Sequence, residues 1–329
     1  MKVVCTLPMD PAGLAILPPG TQVVNAPDTR PETLHALIAD ADFLVVRTRL
    51  PDDIFDHPNR LLGVVRHGVG LDFIPVQSAT EHGIPVANVP GANARAVVEY
   101  CLAAFLAFAR RLERVDATLR LEGWAKGREW VEQAGELGGR TVGIVGLGAT
   151  GLALARACHH GFGMKVLATQ RQQRGAPDFV ETVGLESLLA RSDFVSLNCP
   201  LTAETRHLIT AERLALMKPD AVLVNAARGA IVDEAALLSA LEGRRIRGAA
   251  LDVFSEQPLA PSHPFLGLEG HLLLTPHIAG LTRESAAAMG LGTAKQIVQL
   301  INGERPDHLV NPSVWESYCL RRQAQDRRS

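Results

Sequence analysis

Short apolar runs alternate with amphipathic stretches along residues 1–98. Val3–Leu7, Phe43–Arg47, Leu62–Val65 and Ile84–Ala87 are rich in β-branched and large apolar side chains. Such runs, bounded by turn residues, predict strands. Thr33–Ala39 carries a helical pattern and is entered through Pro31, a residue favoured in the first helical turn. Pro51, Pro58, Pro75, Pro85 and Pro90 punctuate the loops. Alternation of this kind predicts βαβ units and a parallel sheet.

From Ala94 to about Leu121 the pattern predicts one long helix, apolar almost all round in its middle and therefore expected to lie buried between two domains. A loop with Trp124, Gly127 and Trp130 follows. A second βαβ series then begins, with strands expected at Thr141–Val145, Lys165–Thr169, Phe194–Asn198, Ala221–Asn225, Gly248–Val253 and Leu272–Thr275. Six regularly spaced strands match a complete doubly wound domain. Leu281–Asn302 reads as a helix leading out. Tyr318–Ser329 holds four arginines and few apolar residues, and is expected to be an exposed or partly ordered end. The chain is thus expected to start in one α/β lobe, build a second, and return. The expected division is 1–98 with 291–329, and 99–290.

Composition narrows the class. The chain has 329 residues, a two-domain length, with 47% hydrophobic and 21% charged residues. Its net charge of −2 offers no electrostatic case for nucleic acid or an anionic membrane. The start, M-K-V-V-C-T-L-P, reads as a strand rather than a secretory signal. No run reaches the roughly 18 apolar residues of a membrane span. Cysteines 5, 101, 158, 199 and 319 are scattered without zinc-type spacing, so no metal site is expected and reduced thiols in a cytoplasm are.

The sharpest local chemistry is G-L-G-A-T-G at 146–151, between a strand and a helix expected at Leu152–His159. Gly146 permits a tight turn, Gly148 lets a pyrophosphate approach the backbone, and Gly151 lets helix and strand pack. Ala149 and Thr150 complete this cofactor-binding turn. An acid at the end of the next strand would hold the ribose hydroxyls of NAD. That segment instead reads V-L-A-T-Q-R-Q-Q-R-G over 166–175. Gln170 replaces the acid, and Arg171 and Arg174 can pair with a 2′-phosphate. NADP(H) is therefore expected to be preferred, with NAD(H) possible.

Taken in order, R-T-R at 47–49, H-G-V-G-L-D at 67–72, the glycine turn, C-P-L-T at 199–202, M-K-P at 217–219, N-A-A-R-G at 225–229, D-V-F at 252–254 and T-P-H-I-A-G at 275–280 form a specific set. Through it the chain resembles the D-isomer-specific 2-hydroxyacid dehydrogenases over about residues 40–315. The resemblance implies a Rossmann cofactor domain inserted in a flavodoxin-like substrate domain, usually as a homodimer, with a small 2-keto or D-2-hydroxy acid bound in a cleft between them. Arg228 would anchor the substrate carboxylate and carbonyl. His277 would act as acid and base. Arg47 would add a second cation, while Val69 and Gly70 offer main-chain groups to the carboxylate. Cys199 and Pro200 would line the adenine side, Asp252 would meet the nicotinamide amide, and Thr205 and Ala226 would join the cofactor site. Arg95, His67 and His207 are read as structural or solvated. Cys199 is read as packing rather than nucleophilic.

One departure stands out. The family usually places glutamate before the proline of D-V-F-x-x-E-P, to pair with the histidine. Here the segment from 252 to 258 is D-V-F-S-E-Q-P. Either Gln257 orients His277 without charge, or the loop shifts and Glu256 does so. A neutral partner would leave the imidazolium less favoured than a carboxylate would. Glyoxylate and hydroxypyruvate are the first substrates expected. Phosphoglycerate dehydrogenase-like or formate- and phosphite-type activity remains open, as does a dinucleotide-dependent co-repressor-like interaction protein without turnover.

Overall fold

A computed structural model describes residues 1–171, 175–268 and 270–326, apart from the side chains at 321 and 323–326. The chain divides into two compact units. One is split in sequence, Met1–Asn93 with Leu281–Ser329; the other is continuous, Ala94–Gly280. The divisions fall at 93/94 and 280/281 rather than at 98/99 and 290/291, because the helices Ala94–Arg110 and Arg283–Ile301 each stay whole within one unit.

The split unit holds five parallel strands, β1 (Lys2–Cys5), β2 (Gln22–Asn25), β3 (Phe43–Val46), β4 (Gly63–Arg66) and β5 (Val86–Ala87), in the order β2-β1-β3-β4-β5. This is the flavodoxin-like order. Side chains alternate across the pleat. Val4, Leu44, Val46, Val64 and Val86 pack on one face with Leu34 and Ile38 of the helix Pro31–Ile38. Val3, Cys5, Phe43, Val45 and Val65 pack on the other with Ala294, Ile297 and Leu300 of the helix Arg283–Ile301. Strand β2 was not expected from the sequence. It is a four-residue edge strand with no fully buried residue, so its pattern carries little signal.

The returning segment is tied in by buried Asn311. Its side chain accepts from the Val86 amide at 2.8 Å and donates to the Ile84 carbonyl at 2.9 Å. The start of the tail is ordered and anchored, which narrows the expectation of an exposed or partly ordered end. Trp315–Asp326 is a helix, and Tyr318 is 1% exposed with its hydroxyl 3.1 Å from the Leu300 carbonyl. Two aromatic anchors, Trp315 and Tyr318, outweigh the polar composition around them.

The continuous unit holds seven parallel strands. They are β6 (Thr141–Val145), β7 (Lys165–Thr169), β8 (Val180–Thr182), β9 (Phe194–Leu197), β10 (Val222–Asn225), β11 (Gly248–Leu251) and β12 (Leu272–Leu274). Their order is β12-β11-β10-β9-β6-β7-β8, a Rossmann sheet with one strand beyond the usual six. The unforeseen β8 is a three-residue edge strand with two exposed positions. The order reverses between β6 and β9, which opens a crevice at their carboxyl ends.

The long helix expected over 94–121 is two helices, Ala94–Arg110 and Leu112–Glu122, broken at Arg111 with φ 50°. Nor is the first of them buried all round. Val97, Cys101, Phe105 and Phe108 pack on the seven-stranded sheet, while Arg95, Glu99, Ala103, Leu106 and Arg110 form an exposed stripe. The loop expected around Trp124 is a short helix, Trp124–Glu129, followed by a 3-10 turn. No helix among the described residues is long and apolar enough to cross a membrane.

Candidate active site

The glycine turn joins β6 to the helix Ala149–Arg156, which starts three residues earlier than the sequence pattern predicts. Gly146 has φ 100°, and a Cβ there would fall 2.9 Å from the Asn198 carbonyl and the Cys199 nitrogen. A Cβ on Gly151 would fall 2.1 Å from the Gly146 oxygen. Gly148 is the opposite case: it is the helix N-cap, without a side-chain cap, and a Cβ would meet nothing within 4 Å. The amides of Ala149 and Thr150 open the helix there, and first-turn amides have no intrahelical acceptor. Open space at a glycine beside uncapped amides fits the pyrophosphate of a dinucleotide.

Around this turn, Thr205 donates to the Pro200 carbonyl at 2.7 Å and accepts from the Thr202 amide at 2.7 Å, closing the loop after β9. Cys199 is half-buried, and burial pushes its thiol up to about 11, so it stays protonated and packs. Ala226 follows β10 and packs on the core shared with the 94–110 helix. Gln170 follows β7 and is half-buried, whereas Arg171 is exposed. The Glu204 carboxylate is held below its ordinary range mainly by the Thr202 hydroxyl, with a smaller contribution from the Arg171 charge. Arg174 lies outside the described residues.

Arg228 sits in a turn pinned by Asn225, a residue the sequence reading passed over. Asn225 is 1% exposed; its amide donates to the Arg228 carbonyl at 2.9 Å and accepts from the Ala227 amide at 3.1 Å. Gly229 seats the turn. A Cβ there would lie 2.0 Å from the Phe254 carbonyl carbon, so only glycine lets the Arg228 turn press on the backbone that leads to Gln257. Glu234 holds the same loop by accepting from the Ser255 amide at 2.7 Å.

His277 Nδ1 lies 2.8 Å from Gln257 Oε1. Gln257 Nε2 donates to the Phe254 carbonyl at 3.3 Å, which orients the amide oxygen toward the imidazole. Glu256 is exposed beside it. Of the two partners left open by the sequence, the geometry brings Gln257 to the ring. His277 itself has φ 58°, a left-handed conformation uncommon outside glycine. Asp252 holds the turn around it. Its carboxylate, on a residue 1% exposed, accepts from the Thr275 hydroxyl at 2.6 Å and from the Ile278 and Ala279 amides, each at 2.8 Å. The Thr275 hydroxyl is in turn 2.8 Å from the Tyr100 hydroxyl. Buried carboxylate acceptors of this kind make strong, charge-assisted bonds. The positioning of the histidine turn by Asp252 had no sequence signal beyond its D-V-F context.

In the split unit a second turn follows β4. Arg66 donates to the carbonyls of Val46 and His67 at 2.8 Å and of Gly70 at 3.0 Å, and lies 4.8 Å from the Phe73 ring centre. Val69 is 40% exposed, and its carbonyl accepts from Asn88 at 2.9 Å. Arg47, after β3, is half-buried; its amide donates to Thr6 Oγ1 at 2.9 Å and its guanidinium to the Pro8 carbonyl. β1 and β3 flank the point where this sheet reverses order, and Thr6 and Arg47 lie at their carboxyl ends. His67 is 4% exposed, and burial together with the Arg47 charge pushes its imidazole down to about 4. Arg95 and His207 are exposed; Arg95 pairs with Glu99 at 2.9 Å.

Residues 102–279 match the model of the D-isomer specific 2-hydroxyacid dehydrogenase, NAD binding domain. A glyoxylate reductase of Korarchaeum cryptofilum is 40% identical over 285 residues, covering 84% of this chain and 85% of that protein. A D-3-phosphoglycerate dehydrogenase of Methanocaldococcus jannaschii is 37% identical over 319 residues; the match takes in 94% of this chain but only 59% of that longer protein. Among solved structures, an NADPH-dependent glyoxylate/hydroxypyruvate reductase of Sinorhizobium meliloti in complex with NADP and malonate superposes with TM-score 0.80 at 28% identity. The superposition covers 94% of this chain and 97% of that one.

Proposed function

The chain belongs to the D-isomer-specific 2-hydroxyacid dehydrogenase family, and on that premise we propose that it reduces a small 2-keto acid, glyoxylate or hydroxypyruvate first, with NADP(H) preferred over NAD(H). The observation that carries the reading is the His277–Gln257 contact on a turn held by buried Asp252, two strands away from the Arg228 turn in the same sheet. When bound, the reduced nicotinamide supplies the hydride that the carbonyl carbon receives. Arg228 holds the substrate carboxylate and carbonyl through its planar fork. Gln257 Oε1 accepts from Nδ1–H of His277, which leaves Nε2 to deliver a proton to the carbonyl oxygen. Arg47, Val69 and Gly70 are assigned to the substrate carboxylate. Gly146, Gly148, Ala149, Thr150, Gly151, Gln170, Arg171, Arg174, Cys199, Pro200, Thr205, Ala226 and Asp252 are assigned to the cofactor.

The preference for NADP(H) rests on Gln170 standing where an acid would repel a 2′-phosphate, and on the exposed Arg171 beside it. A cytoplasmic homodimer is part of the same reading. Leu106, Leu112, Leu119, Leu121, Trp124 and Val131 leave a large apolar surface on one stretch of chain, as subunit interfaces do.

Loss of cofactor absorbance tests the reaction, comparing NADPH with NADH over glyoxylate, hydroxypyruvate, pyruvate, phenylpyruvate and phosphohydroxypyruvate. Turnover favouring NADPH is expected. Absence of turnover with every acid, while cofactor still binds, overturns the reductase. Gln257→Glu is expected to move the upper pH limb of reduction upward, because a carboxylate supports imidazolium; an unmoved limb removes Gln257 from the mechanism. The neutral Gln257–His277 pair also favours a second reading, oxidation of formate or phosphite. Reduction of NAD(P) by either would establish it.

A further inference from the structure

Away from both turns, the split unit gathers two histidines on one carboxylate. His35 lies in the last turn of the helix Pro31–Ile38, and Asp53 and His57 lie in the turn that follows β3. His35 Nε2 is 3.2 Å from Asp53 Oδ1, and His57 Nε2 is 3.4 Å from Asp53 Oδ2. The two imidazole rings lie 4.0 Å apart, centre to centre. Their nitrogens and the carboxylate oxygen all lie within 4.8 Å of one another.

We propose that His35, Asp53 and His57 bind a divalent transition-metal cation, Zn2+ foremost. The spacing carries the argument. Metal–nitrogen and metal–oxygen bonds of about 2.0–2.2 Å put tetrahedral ligands roughly 3.3–3.5 Å apart. Each ring nitrogen is already close to that distance from one oxygen of the carboxylate, His35 from Oδ1 and His57 from Oδ2. The widest separation, at most 4.8 Å, closes by side-chain rotation. Asp53 and His57 are free to make that rotation, being 58% and 48% exposed, while His35 at 19% is anchored in its helix.

The donor set selects the ion. Two imidazole nitrogens and one carboxylate oxygen suit Zn2+ and its first-row neighbours, whereas Mg2+ and Ca2+ favour all-oxygen shells. Three protein ligands leave a fourth position for water. The ion reaches the cluster from solvent, because His57 also lines an open cavity of about 460 Å³ bounded by Phe55, Arg60, His82 and Tyr318. Each ring binds through Nε2 and keeps its other proton on Nδ1, so the bound cation replaces the two hydrogen bonds that now hold the cluster. The consequence is a clamp between the helix Pro31–Ile38 and the turn 52–57. No local spacing motif marks it, since the ligands sit 18 and 4 positions apart.

The test titrates the tag-free full chain with Zn2+ alone, by calorimetry and by thermal unfolding. One Zn2+ per chain is expected to bind and to raise Tm. Asp53→Asn and His57→Ala are each expected to weaken binding more than roughly tenfold and to abolish the Tm rise. Both positions are exposed, so the variants keep the fold, which their metal-free Tm verifies. His82→Ala removes an imidazole that faces Asp56 instead and is expected to leave binding unchanged. No saturable binding, binding that survives in the Asp53→Asn/His57→Ala double variant, or equal weakening by His82→Ala each overturns the site.

Discussion

The turns at the carboxyl edges of the two sheets are built on opposite charges. In the continuous unit, buried Asp252 gathers one hydroxyl and two amides from 275–279. In the split unit, Arg66 gathers three carbonyls around 67–70. A carboxylate collects N–H groups and a guanidinium collects carbonyls. The first arrangement spends the turn's amides on its own anchor and presents a side chain, His277, from a left-handed backbone. The second spends carbonyls and leaves a glycine-rich main chain to address an anion. Proton transfer needs one fixed side chain, and carboxylate binding needs several amides, so the contrast matches the roles proposed for the two turns.

The comparison breaks most visibly at Asp252. Asp252→Ala is expected to lower kcat for keto-acid reduction roughly 10²–10⁴-fold, the span associated with a general acid, although Asp252 does not deliver the proton. Steady-state kinetics at saturating NADPH, beside cofactor binding followed by fluorescence, would measure this. A near-normal kcat would mean that the turn needs no anion.

Arg66→Met comes next. Loss of three charge-assisted bonds is expected to destabilise the fold by about 2–4 kcal/mol in urea unfolding. The KM for keto acid should rise about tenfold with kcat less affected, the mark of lost ground-state binding. A fall in stability with KM unmoved would make the 67–70 turn a structural element only.

His67 sharpens the same contrast through pH. Its imidazole, down at about 4 through burial and the charges of Arg47 and Arg66, with Asp10 opposing, takes up a proton later in the folded chain than in the unfolded one. Stability is therefore full above pH about 6.5 and is lost as pH falls toward about 4, by on the order of 2–3 kcal/mol. His67→Gln should flatten the urea midpoint between pH 7 and 5. An unchanged slope would place the acid sensitivity elsewhere.

The smallest effect is expected at Arg171, which is exposed and fastened by neither kind of anchor. Arg171→Ala should raise the KM for NADPH about fivefold and leave NADH unchanged, as an exposed ion pair implies. Equal effects on both cofactors would remove the 2′-phosphate from the argument.

Legibility followed distance along the chain. The glycine turn was readable because Gly151 answers to Gly146 and Gly148 to open space beside a helix start, although the close approach of Gly146 is to Asn198 and Cys199, just past the neighbouring strand of the sheet. Edge strands β2 and β8 escaped because runs of three or four residues with at most one buried position carry no periodicity. The break at Arg111 escaped because no glycine or proline marks it and helix-forming residues continue on both sides, and the tail helix because two aromatic anchors sit in a polar composition.

The sequence by itself determined two parallel-sheet units, their central strands, and the placement of Arg228 and His277 after strands of one sheet. Periodicity and turn chemistry are local, and these features depend on nothing else. Only the tertiary structure decided that Gln257 rather than Glu256 meets His277, that Asp252 and Arg66 gather opposite groups, and that His35 meets Asp53 and His57. Those meetings depend on which strand ends become neighbours. Crossover connections set that order, and no local pattern encodes it.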